Sequence, residues 1–294
     1  MLVRERGGEV FGLDPGEFPM SDTANSDGYV LSREASEYER LKVQSAIWAP
    51  LTGRVLDAAG LGPGMSALDA GCGPGEVMRL MGRRVGRTGR VTGIDIDAGV
   101  GAYGLSRLQA EEEGVFAFHS ADLTQDDPVP GAPFDLVYCR FLLIHMDDPV
   151  ATVRRLAKLV KPGGTLVAMD YVMDTIRVAP DDAVLSRGVA VMNGVFAAAG
   201  RPLDAGVRLA EWFVAAGLPM AHGTDIEGRL ELVGGEDPML ARTLTALAGP
   251  AVALGVADAA EMAALPGQIR AVAARREHVF HWPTVTAAWT RVGG

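Results

Sequence analysis

The chain has 294 residues, of which 48% are apolar, and a formal net charge of −10; that is enough apolar side chain for one large core or two modest ones. The charge argues against nucleic acid and against an anionic membrane as main partners, since both require a basic face, and favours a neutral or cationic small molecule. No apolar run reaches the roughly 20 residues that span a bilayer, the first residues show no apolar signal core, and Cys72 and Cys139 offer neither a disulfide framework nor metal-ligand spacing, so a cytoplasmic protein without a structural metal is expected.

Residues 1–28, rich in Gly, Asp, Ser and Pro, read as a flexible leader. Residues 29–60 read as a helical cover, in which Tyr38, Leu41, Ile47, Trp48 and Leu51 recur among charges at helical spacing and Pro50 is expected to kink or divide the helix. From residue 61 on, short apolar runs alternate with helical segments: SALDAG, a helix from Glu76, RVTGIDID, a helix from Ala98, VFAFHSAD, FDLVYCRF, a helix from Pro149, and TLVAMDY. That order signals a parallel sheet wrapped by helices. The basic run RRVGRTGR falls at a helix end without interleaved aromatics and reads as a solvated terminus that complements the helix dipole. Beyond Tyr171 the pattern changes, and residues 180–218 and 236–277 read as helical, with AHGTDIEGRLEL and HVFHWPTVTAAWTRV each strand-like. No linker and no internal repeat divides residues 61–294, so one domain with helical cap insertions near 175–202 and 236–277 is expected. Met173, Met192, Phe196, Trp212 and Phe213 would form core there, some of them lining a pocket.

The stretch ALDAGCGPGE carries the chemistry. Gly71, Gly73 and Gly75 give a G-x-G-x-G turn after a strand, but Pro74 removes one backbone donor and Asp69 and Glu76 flank the turn. A phosphate cradle requires donors and no nearby carboxylate, so a cationic ligand suits it better. S-adenosylmethionine has a sulfonium and an ammonium and no phosphate. Its ribose calls for an acidic acceptor at the end of the next strand, where Asp95 lies 24 residues after Gly71.

On ALDAGCGPG, GIDID, SADL, FDLVYCRFLLIHMDDP and KPGGTLVAMD, in that order, the chain resembles class I S-adenosylmethionine-dependent methyltransferases of the bacterial small-molecule type. The resemblance implies a Rossmann-like, doubly wound α/β fold with a seven-stranded sheet of order 3-2-1-4-5-7-6, the last strand antiparallel. It implies that Asp69, Gly71, Cys72, Gly73 and Gly75 line the methionine part, that Asp95 takes the ribose hydroxyls, and that Ile96, Asp122 and Leu123 frame the adenine. Tyr29 and Gln44 correspond to positions close to the cofactor in similar proteins. The product would be S-adenosylhomocysteine and the partner a small-molecule, natural-product acceptor; a homodimer is left open.

Ligands of a doubly wound sheet sit beyond the carboxyl ends of its strands, so Cys139 and Arg140 should border the pocket, Cys139 either near the sulfonium or packed as a small buried hydrophobe, Arg140 either holding a carboxylate or serving as an ion-pair partner. His145 follows strand four and Asp170 ends strand five, and together they resemble the His/Asp base pair of some sugar and alkaloid methyltransferases. His278 and His281 are reserve bases at the start of the last strand. The acceptor atom stays open among oxygen, nitrogen and carbon, and a methyltransferase-like cyclase that keeps its cofactor is the alternative.

Overall fold

The computed structural model describes residues 35–235 and 237–293. The expected leader and Tyr29 lie outside the described residues, as does the side chain of Gln44. Helix α1 (Ala35–Ala58) runs through Pro50 without dividing and buries Trp48, Leu51, Val55 and Leu56.

Strand β1 (Ser66–Ala70), helix α2 (Glu76–Val85), strand β2 (Arg90–Asp95), helix α3 (Ala98–Glu111), strands β3 (Phe116–Ser120) and β4 (Phe134–Arg140), helix α4 (Pro149–Lys158) and strand β5 (Val160–Val172) follow in turn. The remainder comprises β6 (Arg177–Ala179), α5 (Ala183–Ala198), α6 (Ala205–Ala215), β7 (Gly223–Glu227), β8 (Leu230–Leu232), α7 (Met239–Ala246), α8 (Ala248–Ala253), α9 (Ala259–Arg275), β9 (Val279–His281) and β10 (Thr284–Arg291). Aspartates start four of the helices: Asp97, Asp148, Asp182 and Asp258 each accept a first-turn backbone N–H of α3, α4, α5 and α9, which satisfies donors that a helix leaves open.

Seven strands form one sheet in the order β3-β2-β1-β4-β5-β10-β7, parallel as far as β5, with β10 antiparallel to both neighbours. This is the expected order, β10 and β7 being strands seven and six. Strand β1 is buried along its whole length, as strands covered by helices on both faces are.

Three expectations change. The run AHGTDIEGRLEL makes two strands, β7 in the large sheet and β8 in a second sheet of order β6-β9-β8, and the C-terminal run divides likewise into β9 and β10. The break falls at Pro283, which has no N–H for a ladder. Strand β5 begins at Val160, before the glycine pair, and absorbs Lys161 to Gly164 in a register shift against β4. The basic run is paired rather than merely solvated. Arg84 bonds Asp57 and the Gly53 carbonyl of α1, Arg83 reaches Glu112, and Arg87 reaches Glu113.

Helix α2 is tied to α3 by charge: Arg79 contacts Glu76, Glu111 and Glu112 at 3.4, 2.8 and 2.9 Å, and Arg107 contacts Glu76 at 3.1 Å. Glu76 is thereby drawn away from the glycine turn. Gly104 of α3 lies against the turn from the other side, and a Cβ there would stand 2.7 Å from the backbone C and O of Pro74. Gly104→Val is therefore expected to lower stability by about 2 kcal/mol through overpacking. Gly267→Ala, inside α9 with open space around the new Cβ, should raise it by about 0.5–1 kcal/mol. Urea unfolding of both variants checks the two signs.

Candidate functional site

A cavity of about 460 Å³ lies beyond the carboxyl ends of β1, β2, β4 and β5. Its first half is built by the turn after β1. Gly71, Gly73 and Gly75 have φ of 71°, 49° and 80°, a left-handed backbone that side chains resist, and a Cβ on Gly73 would meet nothing. The N–H groups of Gly71 and Cys72 both donate to the Ile94 carbonyl, and Gly73 N–H donates to Asp95 Oδ2 at 2.9 Å. Asp95 Oδ1 accepts from Asp97 N–H at 2.9 Å, so this one carboxylate braces the ends of two adjacent strands.

Asp69, Gly71, Cys72 and Gly73 border the cavity from the first turn, Asp95 and Ile96 from the second, and Asp122 and Leu123 from the segment after β3. Ile96 is 45% exposed beside it. Asp122 Oδ1 is held by the N–H and hydroxyl of Thr124 at 2.8 and 2.7 Å, an Asx turn that fixes the carboxylate.

Arg140 and His145 also border the cavity. The Arg140 guanidinium bonds the hydroxyls of Ser45 and Thr52 on α1, the latter at 3.0 Å, and lies 5.3 Å from the Phe141 ring centroid. Among the described residues no carboxylate forms an ion pair with it. The segment 141–146 bridges the two halves: Leu142 packs where a Gly71 Cβ would point, 3.1 Å away, and the His145 ring lies 5.7 Å from that of Phe196 on α5.

Gly75, Cys139 and Asp170 do not border the cavity. Gly75 caps α2, and Cys139 is buried with its thiol pushed up by burial. Successive strand residues face opposite sides, so with Arg140 and Tyr171 turned to the cavity their neighbours Cys139 and Asp170 turn away. The Asp170 carboxylate accepts from the N–H groups of Ile144 and Tyr171 at 3.0 and 2.9 Å. It therefore pins the backbone of the 3-10 turn Leu143–His145 instead of orienting the imidazole, which corrects the expected base pair. His281 ends β9 of the second sheet and His278 directly precedes that strand, their Nδ1 atoms 3.0 Å from the carbonyls of Thr175 and Pro180, and neither borders this cavity.

The second half of the cavity is mostly apolar. Met173, Met192 and Phe196 line it, whereas Trp212 and Phe213 are core. Sequence reasoning missed the Phe141–Tyr171 pair, stacked at 3.9 Å and 3°, with Phe141 at φ 55°. It also missed Glu231 and Trp282, which meet only through the second sheet.

Burial pushes both Asp69 and Asp170 up to about 7; at Asp69 the Arg140 charge opposes this and the Asp95 charge adds to it.

Residues 68–168 match the family described as "Methyltransferase domain". A ubiquinone biosynthesis O-methyltransferase of Sodalis glossinidius is 36% identical over 111 residues, covering 37% of this chain and 43% of that one. A ubiquinone/menaquinone biosynthesis C-methyltransferase of Laribacter hongkongensis is 33% identical over 125 residues, covering 42% and 49%. The chain thus spans about half the length of these curated relatives. Among solved structures, the YcgJ protein of Bacillus subtilis superposes with a TM-score of 0.51 at 16% identity, covering 83% of this chain and 98% of that one, a likeness of fold.

S-adenosylmethionine is the cofactor of this family, and the donor set fits it. Four carboxylates, those of Asp69, Asp95, Asp97 and Asp122, border the glycine-walled half, a balance suited to a ligand whose charges include a sulfonium and an ammonium. Gly73 leaves room for close approach, and Ile96 and Leu123 offer apolar faces for a purine.

Asp69 and Asp170 rise from 3.8 to about 7 on folding, so between these values the folded chain holds protons that the unfolded chain has lost. Their contribution to stability is full below pH ~4 and disappears as pH rises through about 7. Asp170→Asn should accordingly flatten the fall in urea midpoint between pH 5 and 8. Midpoints of both proteins across that range test the sign.

Proposed function

We propose that this chain, which carries a class I S-adenosylmethionine-dependent methyltransferase domain over residues 68–168, methylates a hydroxyl or amine of a small, largely apolar natural product in the cytoplasm. The observation that carries this reading is one cavity with an acidic, glycine-walled half and an apolar half, joined by the turn that bears His145. The relatives named for quinone biosynthesis lend support to a small ring-bearing acceptor.

Bound S-adenosylmethionine would supply an electrophilic methyl group on a sulfonium. Asp69 and the Gly71–Gly73 turn would hold its amino-acid end, Asp95 its ribose, and Asp122 with Ile96 and Leu123 its adenine. Helix α1, fastened to Arg140 through Ser45 and Thr52, helps to keep water from the cavity. Methyl transfer asks mainly for alignment and dryness, with a base where the nucleophile must lose a proton. His145 is the half-buried group placed to take it, and Asp170 is a positioning residue that fixes the turn beneath the imidazole through Ile144 N–H.

Incubation with methyl-labelled cofactor and a panel of phenols and amines tests the reading. Transfer yields S-adenosylhomocysteine one-for-one with methylated product, whereas a cofactor-retaining cyclase yields none. With a competent acceptor, His145→Ala should lower kcat by about 10²-fold while cofactor affinity stays nearly unchanged. A raised KM with intact kcat would instead make His145 a binding residue.

Asp69 adds a pH signature. A cation placed beside a carboxyl that titrates near pH 7 favours its ionised form, so cofactor binding should release a proton and tighten as pH rises through about 7. Calorimetry in buffers of different ionisation enthalpy at pH 6.5 measures that release, and Asp69→Asn should abolish it.

A further inference from the structure

The mostly apolar half of the cavity contains one carboxylate supplied by the second sheet. Glu231 of β8 borders this half, in a wall that also holds Val233, Met239, Leu240, Thr243 and Phe280. The Glu231 side chain is 42% exposed, so its carboxylate keeps part of its hydration while a protein partner fixes where it meets the cavity. Here the partner is rigid: the Trp282 indole N–H donates to Glu231 Oε2 at 2.8 Å, while Trp282 N–H donates to the Arg229 carbonyl at 2.9 Å. Trp282 is itself 7% exposed and borders the same cavity. The Arg229 guanidinium reaches the same oxygen only at 3.8 Å, from a side chain as exposed as that of Glu231. Both contacts therefore fall on Oε2 and leave the second oxygen with acceptor capacity.

Resting on the reading of this cavity as a joint cofactor and acceptor site, we propose that Glu231 is a specificity-determining residue that accepts a hydrogen bond from a hydroxyl or ammonium group on the acceptor and rejects acceptors carrying a carboxylate there. Cofactor binding does not call on Glu231, since β8 belongs to the second sheet and the glycine turn to the first. The other carboxylate bordering the cavity near His145, that of Asp147, is paired with the Arg201 guanidinium. An anionic substituent at Glu231 would meet like charge, with only the half-exposed Arg229 to offset it. A donor-bearing substituent gains a charge-assisted hydrogen bond from a carboxylate that has already been fixed in place.

Three isosteric probes test this: 2-(2-naphthyl)ethylamine, 2-(2-naphthyl)ethanol and 2-naphthylacetate, titrated by calorimetry into the full chain saturated with S-adenosylhomocysteine. The amine and the alcohol should bind at least about tenfold more tightly than the acetate. In Glu231→Gln, which can still accept the indole N–H, that preference should shrink to less than about threefold. Affinity for S-adenosylhomocysteine, measured on both proteins, should be unchanged. Equal affinity for the three probes, no binding of any of them, or a preference that survives in Glu231→Gln would each overturn the proposal. If S-adenosylhomocysteine fails to bind the wild-type chain, the methyltransferase reading fails, and the same titrations without it still decide the role of Glu231.

Discussion

The site depends on the brace between the ends of β1 and β2. Two consecutive N–H groups, of Gly71 and Cys72, converge on the Ile94 carbonyl, and the next residue donates to the Asp95 carboxylate. Backbone donors that a phosphate-binding turn would direct at its ligand are used here within the protein. The left-handed glycines make this geometry accessible. Helix α3, resting on Pro74 and tied by charge to α2, holds the turn from outside. A turn whose donors are already committed and whose nearest side chains are acids is poorly suited to anions.

The second constraint is the alternation of strands. At the ends of β4 and β5 only every other residue can face the cavity, and the chain gives those places to Arg140 and Tyr171. Cys139 and Asp170 fall on the reverse side, where Asp170 supports the turn between the cavity halves from beneath. The same polar group thus acts through backbone position, and its burial raises its proton affinity.

What was legible in the sequence follows from how local each signal is. The parallel strands and the acids Asp69 and Asp95 were readable because short apolar runs and a glycine turn act over a few residues, whereas Asp122 came from resemblance. The strand order came from resemblance and holds. Cys139, open between pocket and core, and the mispositioned Asp170 show the limit: a strand end can be found from pattern, but which phase of its alternation faces inward depends on which helices cover each side. Glu231 and Trp282 were beyond reach for a further reason. They are distant in sequence and meet only because β8 pairs with β9, and β9 is separated from β10 only by the break at Pro283, so that each joins a different sheet.

The placement of β10 between β5 and β7 has a consequence for biosynthesis. During translation β5 emerges long before residues 284–291, and until they arrive one edge of β5 has no strand partner while β7 has no place in the sheet. Closure of the sheet is thus a late, long-range event, of the kind that slows folding and leaves an edge open to wrong partners in the meantime. Helix α6, which packs on β5, is made earlier than β10 and can shield the face of that strand but not its edge. A nascent chain of this topology carries its greatest aggregation hazard in the interval between the synthesis of β5 and that of β10.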